Sequence, residues 1–256
     1  MTHTSDDISV GPAMRDRRPV EVLHSWESSP RELIVTIDGP AASGKSTVAR
    51  LLAQRLGLAF LDTGAMYRAA AAIAIDRALS LHDHAALLDT VESARVRFDW
   101  SQDPPRILAF GASVEHRIRE PDVTAQVSKL AAIPALRAVM VRLQLQIAAE
   151  HPRLVSEGRD QGSVVFPRAA CKFYLTAPAP IRAQRRSEQL RKQGVPVDEH
   201  VVLEQILARD ELDSSRSDAP LRRSDDATLV DTSALELLGV VERLERIVRA
   251  TDKAPA

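Results

Sequence analysis

The chain has 256 residues, 45% of them apolar, and 34 Lys and Arg against 35 Asp and Glu give a formal net charge of −1 at pH 7. Such a chain can pack a core for one α/β unit with a small appended piece, which argues against disorder throughout, and its near-neutral balance gives no global field for a nucleic-acid or membrane partner. A single cysteine, Cys171, excludes an internal disulfide framework and a cysteine-rich zinc site, and fits a reducing cytosol as a buried strand thiol.

Residues 1 to about 31 are polar, interrupted by Pro12, Pro19 and Pro30, and lack periodicity, so they read as a flexible N-terminal extension. No apolar core of a secretory signal is present there, and the longest apolar run, 69–75, stops at Asp76, far short of the ~20 residues that span a bilayer. The expectation is a cytoplasmic monomer. "ELIVTID" (32–38) predicts a strand, and "KSTVARLLAQRLG" predicts a helix with Val48, Leu51, Leu52 and Leu56 on one face. "LAFLDTG" reads as strand and turn, and "AMYRAAAAIAIDRAL" as helix. Residues 95–118 hold three short β-type runs broken by a Pro-Pro turn and a Gly, which predicts a small antiparallel insert, either a substrate-side domain or a mere hairpin. Strands follow at "RLVSEG" (153–158) and "CKFYLT" (171–176), then a helix ending at Gly194, a last strand "ATLVDTS" and a last helix "ALELLGVVERLERIVRA". This succession predicts an α/β fold with a parallel sheet covered by helices on both faces.

Between the first strand and helix, Gly39 to Ser46 fit G-x-x-x-x-G-K-[ST], the phosphate-binding loop of P-loop nucleotide enzymes. Its backbone N–H groups, from Gly39, Pro40, Ala41, Ala42, Ser43 and Gly44 onward, can wrap phosphate oxygens wherever a residue has one to give. Lys45 is placed to reach the β- and γ-phosphates of a bound nucleotide. Ser46 is placed to hold Mg²⁺, with Thr47 as its substitute.

A GTPase reads guanine with an N-K-x-D segment, and this chain has no asparagine. The further motifs of motor and transporter ATPases are missing too. A small phosphotransferase remains, and it needs a second anion site for the phosphate acceptor. Arg68, one turn into the helix after "LDTG", and Arg159, directly after "RLVSEG", lie at strand ends, where α/β sheets bind ligands. On "LEQILARDELDSSR", Arg209, Asp213 and Arg216 fall at i, i+4 and i+7, which predicts one helical face; with Arg222 and Arg223 they read as a helical lid bringing positive charge to the transferring phosphates. Glu157 and Asp38 are candidates to orient Mg²⁺-bound water, or are structural charges at strand ends. Arg182, Arg185 and Arg186 add further charge or form a surface helix face. His82, His84, His116 and His200 are expected on the surface. The residues alone leave open another P-loop small-molecule kinase, or a module that binds ATP without turnover.

"IDGPAASGKSTVA", "LDTGAMYRA", "EGRDQGSVVFP" and "RDELDSSRSDAPLRRSDDATLVDTS", in that order along residues 32 to 250, resemble the bacterial cytidylate kinases. The resemblance implies a nucleoside monophosphate kinase that transfers the γ-phosphate of Mg²⁺-bound ATP to CMP or dCMP. It implies a domain over 32–256, with a core at 32–94 and 152–250, an acceptor-binding region at about 95–151 and a lid at about 209–224. It also implies that Arg68, Arg159 and Arg216 hold the CMP phosphate, that Asp213 meets the ribose with Arg209 beside it, and that Ser128, Arg137 and Asp160 meet the cytosine edge. Lys45, Arg159 and Arg216 would act on the transferring group. The chain departs from the pattern at Leu212 and Ser214, where many members carry arginine at the first and some at the second.

Overall fold

A computed structural model describes residues 32–253. The N-terminal extension expected over 1–31 lies outside the described residues. Strand β1 (Leu33–Asp38) is buried at every position, as a central parallel strand must be when both of its faces are covered. After it come α1 (Lys45–Leu56), β2 (Ala59–Asp62) and α2 (Thr63–Asp76). Later in the chain, β6 (Arg153–Gly158), β7 (Cys171–Thr176) and β8 (Thr228–Asp231) complete a five-stranded parallel sheet in the order β2-β6-β1-β7-β8.

Alternation along these strands sorts the core into two layers. Ile34, Leu61 and Leu154 face a layer built from α2, α3 (His84–Ser93), α4 (Pro121–Leu130) and α5 (Pro134–Glu150). Leu33, Val35, Ile37, Val155, Phe173 and Leu175 face α1 and α8 (Leu237–Asp252) on the other side. Cys171 is buried in that second layer, as expected of a strand thiol, and burial raises its pKa. The last helix begins at Leu237 rather than at Ala234.

The insert folds as three antiparallel strands, β3 (Arg97–Asp99), β4 (Arg106–Ala109) and β5 (Ala112–Ser113). Phe98, Ile107 and Ala109 are buried in the same core layer as α2 to α5, so the insert is packed onto that side of the sheet. Helices α6 (Ala179–Lys192) and α7 (Glu199–Ser214) share a small separate cluster of Ala183, Val202 and Ile206. The helix carrying the lid residues ends at Ser214, so Arg216 does not continue the helical face of Arg209 and Asp213. Small polar residues at 214, 215 and 217 compete for backbone hydrogen bonds, and Pro220 disfavours helix before it. The chain folds back instead: Leu221 N–H donates to the Asp213 carbonyl at 2.8 Å. His82, His84, His116 and His200 are exposed. Among the described residues no single helix is long and apolar enough to cross a membrane.

Candidate active site

The register sets the site. Asp38 pairs with Gly158 across β1 and β6, and Asp62 with Glu157 across β2 and β6, so the carboxyl ends of three neighbouring strands come level. Gly39 leaves β1 at φ 155°, where a Cβ would stand 2.2 Å from the Leu175 carbonyl oxygen; only glycine fits there. Ala42 and Gly44 have positive φ, 59° and 86°, and Gly44 caps α1 without a side-chain hydrogen bond. The first-turn amides of α1 therefore have no side-chain acceptor at the cap, which is the geometry that takes an anion. Ser43 is buried and its hydroxyl has no hydrogen-bond partner. Lys45 opens α1, is buried, and donates to the Pro40 carbonyl at 3.4 Å. Ser46 and Thr47 are exposed.

Ser46 Oγ donates to Glu157 Oε1 at 2.7 Å, and Lys45 Nζ lies 3.8 Å from Glu157 Oε2. That Oε2 is buried and has no hydrogen-bond partner. Beside it Asp62 caps α2 through Ala65 N–H at 2.9 Å; burial, and then the Glu157 charge, push its pKa up to about 7. Burial, and then the Arg159 charge, lower the Lys45 ammonium to about 8. Two acidic groups that repel and a hydroxyl form a hard-oxygen donor set suited to Mg²⁺. Asp38 has a structural part: its oxygens accept from Gln161 N–H and Gly162 N–H, both at 2.8 Å, and cap a short π-helical turn at Gln161–Val165. It is Glu157 that meets the phosphate loop directly, through Ser46 and Lys45.

On the far side of Glu157 a cavity of about 60 Å³ is lined by Ser128, Arg137, Arg159, Asp160, Arg209, Asp213 and Arg216, along with Thr63 and Tyr67. Seven residues singled out from the sequence thus converge from α4, α5, the turn after β6, α7 and the segment beyond it. Arg137 and Asp160 form a buried ion pair, and Tyr67 OH accepts from Arg137 Nη1 at 3.4 Å. Arg159 Nε donates to Asp213 Oδ2 at 2.9 Å. Although burial works against the charge, Arg159 and Arg209 hold the Asp213 carboxyl below the usual range. Burial, and then Arg159, lower the Arg209 guanidinium to about 10. The Nε groups of Arg209 and Arg216 are buried without a hydrogen-bond partner, so donors remain unspent in the cavity.

Arg68 stands off the cavity, its Nη1 donating to the Ile118 carbonyl at 3.1 Å and Thr124 Oγ1 at 2.9 Å. Leu212, Ser214, Arg222 and Arg223 are exposed and outside the cavity lining. Arg182 is a clamp: it donates to the Ala177 and Ala41 carbonyls and pairs at 2.6 Å with Asp210, which accepts from Ala41 N–H at 3.3 Å. Arg185 ties α6 to Thr232, and Arg186 donates to Gln189. Thr63, Tyr67 and Asp62 were missed from the sequence, although all three lie in "LDTGAMYR". Thr63 Oγ1 donates to the Glu157 carbonyl at 2.7 Å and so braces the strand end between the two anion sites.

A strand, phosphate loop and helix at the sheet's carboxyl edge, facing an arginine-rich acceptor cavity across one shared carboxylate, define a P-loop phosphotransferase of the nucleoside monophosphate kinase class. The family model described as cytidylate kinase matches residues 35–250. A cytidylate kinase of Rhodococcus jostii is 45% identical over 224 residues, covering 86% of this chain and 96% of that one. A cytidylate kinase of Carboxydothermus hydrogenoformans is 41% identical over 214 residues, covering 84% and 96%. A bifunctional pantoate ligase/cytidylate kinase of Acaryochloris marina is 42% identical over 215 residues, 82% of this chain and 41% of that one. The chain belongs to the cytidylate kinase family.

Proposed function

We propose that this site moves the γ-phosphate of ATP onto the phosphate of CMP or dCMP, with the roles divided between its two halves. Loop 39–47 wraps the donor phosphates, and Lys45 neutralises the transferring group. Ser46 would hold Mg²⁺, with Glu157 and Asp62 orienting its water, and the ion would supply charge neutralisation on the phosphates. Arg159 and Arg216 hold the acceptor phosphate, joined by Arg68 once substrate is bound. Asp213 and Arg209 meet the ribose. Ser128, Arg137 and Asp160 meet the base: cytosine offers its amino group to the Asp160 carboxylate and Ser128, and acceptors to Arg137.

No general base is required, because an acceptor phosphate oxygen is already a nucleophile; catalysis consists of in-line positioning, charge neutralisation and exclusion of water. The single observation that carries this reading is the cavity beside Glu157, where Arg209 and Arg216 present unspent buried donors next to the Arg137–Asp160 pair. A cytoplasmic monomer fits such a reaction. The test is ADP release with Mg-ATP against CMP, dCMP, UMP, AMP, GMP and shikimate. CMP and dCMP should lead; comparable turnover of AMP or shikimate would reject the acceptor assignment, and ATP binding with no turnover of any acceptor would reject the kinase.

A further inference from the structure

Asp218 has no part in the roles above and does not line the cavity, yet it holds Arg137, which does. It sits on the segment that folds back after α7, and its side chain is 49% exposed. Its Oδ2 accepts from Arg137 Nε at 2.9 Å, although the Arg137 side chain is itself only 3% exposed. Arg137 Nη2 donates to Asp160 and Nη1 to Tyr67 OH. A guanidinium has five N–H donors in one rigid plane, so three are engaged and one on each Nη is left.

The three partners come from different parts of the fold. Tyr67 is on α2 and Asp160 on the turn after β6, both anchored to the sheet. Asp218 alone belongs to the lid segment. The same short fold-back also carries Arg216, whose Nη2 donates to the Ala219 carbonyl at 3.0 Å, and it is tied to the helix end through Leu221 N–H and the Asp213 carbonyl. Arg216, Asp213 and Asp218 therefore lie on one hydrogen-bonded fold-back. A carboxylate on Nε fixes the rotation of the guanidinium plane, and with it the direction of the two donors left for the base.

We infer that Asp218 is a positioning residue that couples the lid to base recognition: seated from the lid, it holds Arg137 in the plane that reads the acceptor base, so that phosphate contacts and base contacts are completed together. This rests on the assignment of Arg137 to the base. The test is steady-state kinetics of the full chain carrying Asp218→Ala, Asp218→Asn or Arg137→Ala, with CMP and UMP at saturating Mg-ATP. Asp218→Ala should raise KM for CMP about fivefold, the effect of one half-exposed charge pair, leave kcat and KM for ATP near normal, and lower the CMP over UMP preference. Asp218→Asn, which keeps an acceptor for Nε, should fall between it and the unaltered protein. If Arg137→Ala raises KM for CMP while Asp218→Ala does not, the coupling is overturned and the base assignment stands. If Arg137→Ala itself leaves KM for CMP unchanged, the base assignment fails. A fall in kcat alone, equal for both substrates, would make Asp218 a lid contact only and also overturn the coupling.

Discussion

Replacing Asp160 by Asn changes one oxygen for an NH₂ in a buried site and leaves the shape intact. As a carboxylate, Asp160 can only accept, and its Oδ2 is bound to Arg137 while Oδ1 lies 3.4 Å from Gln161 Nε2 and borders the cavity. In the Asn variant the carbonyl oxygen stays on Arg137, where the stronger donor lies, and the amide NH₂ takes the Oδ1 side. Cytosine then meets a donor with its own amino donor, whereas the O4 of uracil gains a partner. A buried polar group left unsatisfied costs about 1–3 kcal/mol, so kcat/KM for CMP should fall about 10- to 100-fold and that for UMP should rise. Arg137 keeps its charge partner in Asp218, so the cost to the fold is less than the ~3–5 kcal/mol of breaking a buried pair outright. The assay is kcat/KM for CMP and UMP, normalised to folded protein by a thermal melt. An unchanged ratio with unchanged melting would refute the placing of Asp160 on the base; a fall equal for both substrates would place it on a shared group such as the phosphate.

Lys45→Met should leave the fold intact and lower kcat by about 10²-fold or more, since a preorganised charge on the transferring group is lost; near-normal turnover by folded protein would sink the donor assignment. Burial sets the Lys45 pKa in the free enzyme at about 8. Bound phosphates favour the charged form, so above that pH binding of ATP must take up a proton and Kd should rise towards tenfold per pH unit; titration calorimetry in two buffers would detect the uptake, and Lys45→Arg should be flat over the same range. The sign for stability runs the other way. A lysine whose folded pKa lies below 10.5 favours unfolding while it is charged, so its penalty is present below pH 8 and is relieved as pH rises through the folded pKa towards 10.5.

What the chain discloses in advance depends on where the signal is stored. Strands such as β1, β6 and β7 are short runs with an apolar centre that end at Asp, Gly or Thr, and their limits are legible to within a residue. Helices α4 and α5 carry a readable period in Val123, Val127 and Leu130 and then in Leu136, Val139 and Met140, with proline at each first turn, a signal absent from the sequence expectations above. The phosphate loop is contiguous and glycine-marked, so its residues were found directly. Acceptor residues are scattered along the chain, and each alone is an ordinary arginine, aspartate or serine; strand-end position and helical spacing point to Arg68, Arg159, Arg209, Asp213 and Arg216, while Ser128, Arg137 and Asp160 follow only from the family resemblance. Arg216 was placed on a helix because spacing cannot show that the backbone turns at Ser215. Asp218 and Asp210 carried no signal at all, since their meaning lies in Arg137 and Ala41, 81 and 169 residues away.

The carboxylate of Asp38 deserves a mechanical reading. It closes the strand that feeds the donor loop and at the same time grips the two amides directly after Arg159 and Asp160. One buried side chain therefore ties the strand that opens into the phosphate loop to the turn that carries Arg159 and Asp160, with both parts anchored in the middle of the sheet. The spacing between those two parts is thus set by the sheet's own register, in which Asp38 pairs with Gly158.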